Sequence, residues 1–195
     1  MELTPEQISE NFDKFRGFME KLGDRSDAGL ALVDGLGERL ALCPASSRKE
    51  YHAAFPGGLV DHSLRLLSNA LKLCKAFSWD VPKDSLIIGC LLHDIGKVGD
   101  HENDYYLPQK DSWRIDKLGE IYTHNKELQY MTVPDRGVWL CQHYGLKLDQ
   151  AEWLAIKLND GQYAEENALY KMKEPLLADI VHIADYISTK QEKNL

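Results

Sequence analysis

Long apolar runs are missing from this 195-residue chain: the longest uninterrupted one, Leu86 to Leu92, is far short of the roughly 18 to 20 residues that cross a bilayer. No membrane-spanning segment is expected. Positive charge is also in short supply, with 23 Lys and Arg against 31 Asp and Glu, a net charge of −8. Coating a nucleic acid backbone requires many cations on phosphates, so this balance argues against an extended nucleic acid partner and leaves room for one small anion at a local site. Met1 to Phe12 carry three glutamates before the first basic residue and no apolar segment, which is unlike a secretory signal. The four cysteines, Cys43, Cys74, Cys90 and Cys141, form no Cys-x-x-Cys pair of the kind that zinc ribbons and redox motifs use. Reduced thiols and a cytoplasmic setting follow as the expectation. Repeats, low-complexity tracts and Pro/Gly/Ser-rich linkers are absent as well. The chain therefore reads as one unit over 1–195, with 1–45 a helical extension packed on a core at 51–190. A homo-oligomer is compatible with this composition.

What is present is mostly helical periodicity. Thr4-Pro5-Glu6-Gln7 is a capping box with Pro at the first helical position, and Ile8, Phe12, Phe15, Met19 and Leu22 follow at helical spacing. Leu30, Val33, Leu36 and Leu40 form a second stripe, weakened by Gly29, Gly35 and Gly37. Ser47-Arg48-Lys49-Glu50 reads as a capping box opening a short helix that ends at Phe55-Pro56-Gly57-Gly58. Leu59 to Phe77 is a long amphipathic helix, and Leu86 to Ile95 the most apolar and so the most central one. Between Asp100 and Gly119 the helical period lapses; Tyr105-Tyr106-Leu107 and Trp113-Arg114-Ile115 predict a small β-hairpin within 104–116. Helical patterns resume over Lys126 to Tyr130, Asp135 to Tyr144, Asp149 to Leu158 and Leu176 to Lys190, while Asn159 to Tyr163 reads as a turn. Trp139, Trp153, Tyr163 and Tyr170 are assigned to the core.

Composition makes a single His-Asp dipeptide unsurprising, but its place gives it weight. His93-Asp94 closes the most apolar helix, in Leu91-Leu92-His93-Asp94-Ile95-Gly96-Lys97, and a charged pair there has to be solvated, paired or bound to metal. Imidazole and carboxylate ligands suit Zn, Mn, Fe or Ni, and the rest of a shell has to come from other helices. His62, after Gly57-Gly58-Leu59-Val60-Asp61, and Asp185, in Ile180-Val181-His182-Ile183-Ala184-Asp185-Tyr186, are polar residues in core-facing surroundings. Taken singly, they read as a core histidine and a helix–helix acceptor.

In this order, His62, His93-Asp94 and Asp185 resemble the pattern of the HD-domain superfamily of metal-dependent phosphohydrolases. The His52-Ala53-Ala54-Phe55-Pro56-Gly57-Gly58-Leu59 lead-in and the His-Asp-Ile-Gly-Lys stretch extend the likeness over Tyr51 to Lys190. The resemblance implies an all-α helical bundle and one divalent ion (Mn, Co, Ni, Mg, Zn or Fe) held by His62, His93, Asp94 and Asp185. It also gives Asp94 and Lys97 catalytic roles, with Lys97 facing a substrate phosphate. Some branches hold a second ion through histidines between the His-Asp pair and the last Asp, an interval that here contains His124 and His143. Arg65 and Arg136 are candidate phosphate contacts, and His182, one turn before Asp185, a residue that shapes the site from behind the ligands. His52 and His101 are assigned structural or surface roles.

The function implied is water attack on a phosphoester or phosphoanhydride of a small nucleotide. Phosphodiester cleavage, as by 3′ to 5′ exoribonucleases and cyclic-nucleotide phosphodiesterases, is the runner-up. Its weaknesses are the missing OB-fold-like strand pattern and the missing Gly-Tyr-Pro triplet. A di-iron oxygenase would need His124 and His143 as ligands, and a nucleotide-sequestering protein would use the same contacts without turnover.

Overall fold

The computed structural model describes residues 2–161 and 164–193. The capping box at Thr4 forms, with Gln7 N–H donating to Thr4 Oγ1 and Thr4 N–H to Gln7 Oε1, and starts α1 (Pro5–Met19). A 3₁₀ turn at Gly23–Arg25 leads into α2 (Ser26–Leu42), which bends at Gly37, where φ is +48°. Next come α3 (Gly58–Phe77) and α4 (Lys83–Leu92), then a 3₁₀ turn at Ile95–Val98. Beyond β1 (Tyr106–Pro108), α5 (Ser112–Leu118) and β2 (Tyr122–His124), the bundle is completed by α6 (Val133–His143), α7 (Gln150–Lys157) and α8 (Leu176–Glu192).

The fold is the expected all-α bundle, with α4 at its centre against α3, α7 and α8. Nearly all of α4 is buried, which follows from a helix that is apolar on every face. The first two helices pack on each other, and α1 also lies on α3. No helix among the described residues is long and apolar enough to cross a membrane.

Three local expectations are corrected. The hairpin exists, but its second strand is Tyr122–His124, paired antiparallel with Tyr106 opposite His124 and Pro108 opposite Tyr122. Trp113-Arg114-Ile115 lies in α5 instead, because Asp111 caps that helix by accepting from the N–H groups of Trp113 (2.9 Å) and Arg114 (3.3 Å). Second, Ser47 to Glu50 starts no helix. Its backbone pairs with residues 119–122: Lys49 N–H donates to Gly119 O, and Ile121 and Tyr122 donate to Ser47 O. Third, Lys126 to Tyr130 is a turn, where Asn125 Oδ1 accepts from Glu127 N–H, and five residues are too few to repay helix nucleation. Of the aromatic residues assigned to the core, Trp139 packs against it while Trp153 is 37% exposed. Tyr163, with the end of the 159–163 turn, lies outside the described residues.

Asp111→Ala should cost α5 about 1 kcal/mol. Faster amide exchange confined to residues 112–118 is the expected readout; unchanged exchange there would show that something other than the cap holds the helix.

Candidate metal centre

The Phe55-Pro56-Gly57-Gly58 segment brings the chain round onto the start of α3. Gly57 takes φ +82°, and a Cβ at Gly58 would lie 2.0 Å from the Ala53 carbonyl oxygen, so only glycine permits this approach. One turn on, His62 is fully buried. Its Nδ1 lies 3.0 and 3.1 Å from the two carboxylate oxygens of Glu192, at the end of α8. That contact puts the proton on Nδ1 and leaves the Nε2 lone pair facing inward.

His93 follows the last turn of α4 and is also fully buried. Its Nδ1–H donates to Cys90 O at 2.8 Å, again freeing Nε2. Asp94 leaves the helix, and the Ile95–Val98 turn behind it presses against the start of α6. There a Cβ on Gly96 would meet Val133 O at 2.1 Å. The turn carries Lys97 back so that its ammonium bonds Asp94 Oδ2.

His62, His93 and Asp94 each place a ligand atom within 4.8 Å of the others. The ring centroids of the two histidines are 5.3 Å apart, and Asp94 Oδ2 lies 3.3 Å from His93 Nε2. Asp185, on α8, sets Oδ1 3.0 Å from His62 Nε2, near enough for charge attraction but out of line for a hydrogen bond. The Nε2 atoms of both histidines are thus buried with no hydrogen-bond partner. Two orphaned lone pairs converging on carboxylates are costly in a dry interior and fit a divalent ion with nitrogen and oxygen ligands.

Burial pushes His62 down, but the carboxylates of Asp185 and Glu192 overcome it and raise it to about 9, so with no ion bound a second proton would occupy Nε2, the position a divalent ion would take in its place. Burial raises the Asp94 carboxyl, and Lys97 and His93 outweigh that to hold it well below the usual range. Lys97 is destabilised by burial and more than restored by Asp94, so it stays charged.

The surrounding residues support this cluster. Asn159 donates from Nδ2 to His93 O (3.0 Å) and Asp94 Oδ1 (3.3 Å), and its own carbonyl accepts from His182 Nδ1–H (2.9 Å). His182 therefore positions Asn159, which positions Asp94. Arg65 donates to Asp61 (3.0 Å) and sets Nε 3.2 Å from Glu192 Oε1, steadying the carboxylate that orients His62. Arg136 is buried elsewhere, donating to the carbonyls of Gly96, Gln129 and Met131 beneath the Tyr105 ring. Neither His124 nor His143 joins a ligand-capable group among the described residues: His124 stacks on Tyr105, and His143 lies between His101 and Trp139.

Sequence reasoning passed over two residues here. His52, read as structural or surface, puts its ring 4.6 Å from that of His62, with a buried Nε2 that has no partner. Burial, and then the charges of His62 and Lys97, push it down to about 4, so it is neutral. Its place in the lead-in before Gly57-Gly58 was the available signal. Glu192 carried none, being one acid in a polar C-terminal run. Glu192→Ala should weaken divalent-ion binding by about 10- to 100-fold, as loss of a carboxylate behind a ligating histidine does. Calorimetric titration of the ion measures this, and unchanged affinity would remove Glu192 from the site.

No curated protein and no solved structure is significantly similar to the chain. The family model described as HD domain matches residues 59–190, from the helix that carries His62 to the helix that carries Asp185. The convergence of His62, His93 and Asp94 at one buried point and this match over most of the sequence agree: the chain belongs to the HD-domain family of metal-dependent phosphohydrolases.

Proposed function

We propose that the protein hydrolyses a phosphoester or phosphoanhydride of a small nucleotide. The observation that carries this reading is the pair of buried, unpartnered Nε2 atoms of His62 and His93 beside Asp94, with the Lys97 ammonium on the same carboxylate. His62, His93, Asp94 and Asp185 would hold one divalent ion. Such an ion supplies Lewis-acid polarisation of a phosphoryl oxygen and lowers the pKa of water at neutral pH. The chain's own groups do the rest. Lys97 offers its charge to phosphate oxygens, and Asn159 fixes the Asp94 carboxylate so that it can orient the attacking water.

The test is phosphate release from nucleoside mono- and triphosphates, cyclic nucleotides and short oligonucleotides, with Mn, Co, Ni, Mg, Zn or Fe(II). Ion-dependent release from mononucleotides is the expected result. Cleavage of oligonucleotides or cyclic nucleotides alone would replace this reading with phosphodiester hydrolysis. Silence across the panel from ion-loaded protein would leave a nucleotide-sequestering domain.

A further inference from the structure

A cavity of about 490 Å³ opens beside the cluster, and Lys97 belongs to both. One wall is a single face of the β1–β2 hairpin, since Tyr106, Pro108 and Tyr122 point the same way in the antiparallel register. The two tyrosine rings lie 6.1 Å apart. The facing wall is Leu42, at the end of α2, with Pro44 and Pro56 from the segment before α3. These wall residues carry no formal charge, although Glu38 of α2 also lines the cavity; burial raises the Tyr106 phenol, so it stays neutral.

Arg39 and Asp104 at the rim neutralise each other at 2.7 Å. Arg39 donates as well to Asp100 O and Val98 O, clamping α2 to the opposite wall. The result is a slot with aromatic and proline faces and a phosphate-binding ammonium at its floor, a combination suited to a flat ring attached to a phosphate. Leu42, Pro44 and Pro56 precede the stretch matched to the HD domain, so this wall comes from the end of α2 and the segment that joins it to α3.

Resting on the phosphohydrolase reading above, we propose that this pocket receives the aromatic ring of the substrate's leaving group, such as the nucleobase of the nucleoside released. A phosphoryl group at the metal cluster and on Lys97 would then direct the ring between the hairpin and Leu42.

The experiment measures equilibrium binding of the leaving group alone, which needs no turnover. Adenosine, phenol and ribose are titrated into the ion-loaded protein and into Leu42→Trp and Tyr122→Ala. Leu42 is 43% exposed, so tryptophan there fills the slot without entering the core. Adenosine should bind while ribose does not, and both variants should weaken adenosine by about tenfold or more. Phenol binding with the same sensitivity, in place of adenosine, would assign an aryl phosphate as the source of the ring. Adenosine and phenol affinities that ignore Leu42→Trp, or ribose binding as well as adenosine, would overturn the proposal. Silence in the phosphate-release panel with variant-sensitive adenosine binding would sink the hydrolase reading and leave the pocket assigned. Phosphate release without such binding would sink the pocket alone.

Discussion

Asp94→Asn should lower turnover by at least about a thousandfold, some 4 kcal/mol of barrier, with the fold intact. The amide has the shape of the carboxylate but not its charge, and Asp94 is where the site's interactions cross. It accepts from Asn159, pairs with the Lys97 ammonium and stands 3.3 Å from His93 Nε2. Without that charge, a bound ion would lack an anionic ligand and Lys97 loses the partner that keeps its ammonium in place. Phosphate release and bound-ion content, measured on the same preparation, test this. A variant that turns over at the wild-type rate with a full complement of ion would show that the metal centre has been placed wrongly.

Arg25→Ala should destabilise the protein by about 3 kcal/mol at neutral pH, because it leaves a buried carboxylate without its cation. Glu152, on α7, is fully buried, and its Oε2 accepts from Arg25 Nη1 at 2.6 Å and from Asp149 N–H at 2.9 Å. The same guanidinium reaches Asp84, at the start of α4, at 2.6 Å. One side chain thus ties the entry of α2 to two other helices. Burial raises the Glu152 carboxyl, but hydrogen bonds from Arg25, the Asp149 backbone and Ser85, with the Arg25 charge, together outweigh it and the pKa is lowered overall. That stabilisation is present above the unfolded carboxyl pKa, about 4.3, and fades as pH falls through the lower folded value. In the variant, burial is opposed only by the Asp149 and Ser85 hydrogen bonds, so the carboxyl takes up a proton at higher pH and the deficit should narrow on acidification. Urea unfolding at pH 7 and pH 4 reads both effects; a deficit that stays constant or widens would refute the charge argument.

Both predictions draw on contacts with very different visibility in the sequence. Local rules found what is local. The Thr4 box starts α1 as its residues dictate, and the apolar density of 86–92 announces the central helix. Where a local signal met a stronger distant partner, the reading failed. Ser47 to Glu50 has the residues of a capping box, yet its backbone is taken by 119–122. The true partner of β1 lies beyond a helix that Asp111 caps. An aspartate three residues before an arginine can serve a turn or a cap, and only the surrounding chain selects between them.

The four-residue set His62, His93, Asp94 and Asp185 was nominated by its likeness in order and flanking residues to the HD pattern, since singly His62 and Asp185 read as core residues. What surrounds it was not. Glu192 behind His62, Asn159 and His182 behind Asp94, and His52 against His62 are joined across 10 to 130 positions. No periodicity encodes such pairings, since each depends on where two helices happen to cross.

By itself, the sequence determined the all-α class and the central helix, because helical periodicity is a property of neighbouring positions, and its resemblance to the HD pattern nominated the four residues of the candidate centre. Tertiary structure alone decided which groups orient those residues, which arginines are bound up in structural contacts, and where a ring-sized slot opens next to Lys97. Those outcomes depend on distances between segments far apart in the chain, and such distances exist only once the buried faces have packed.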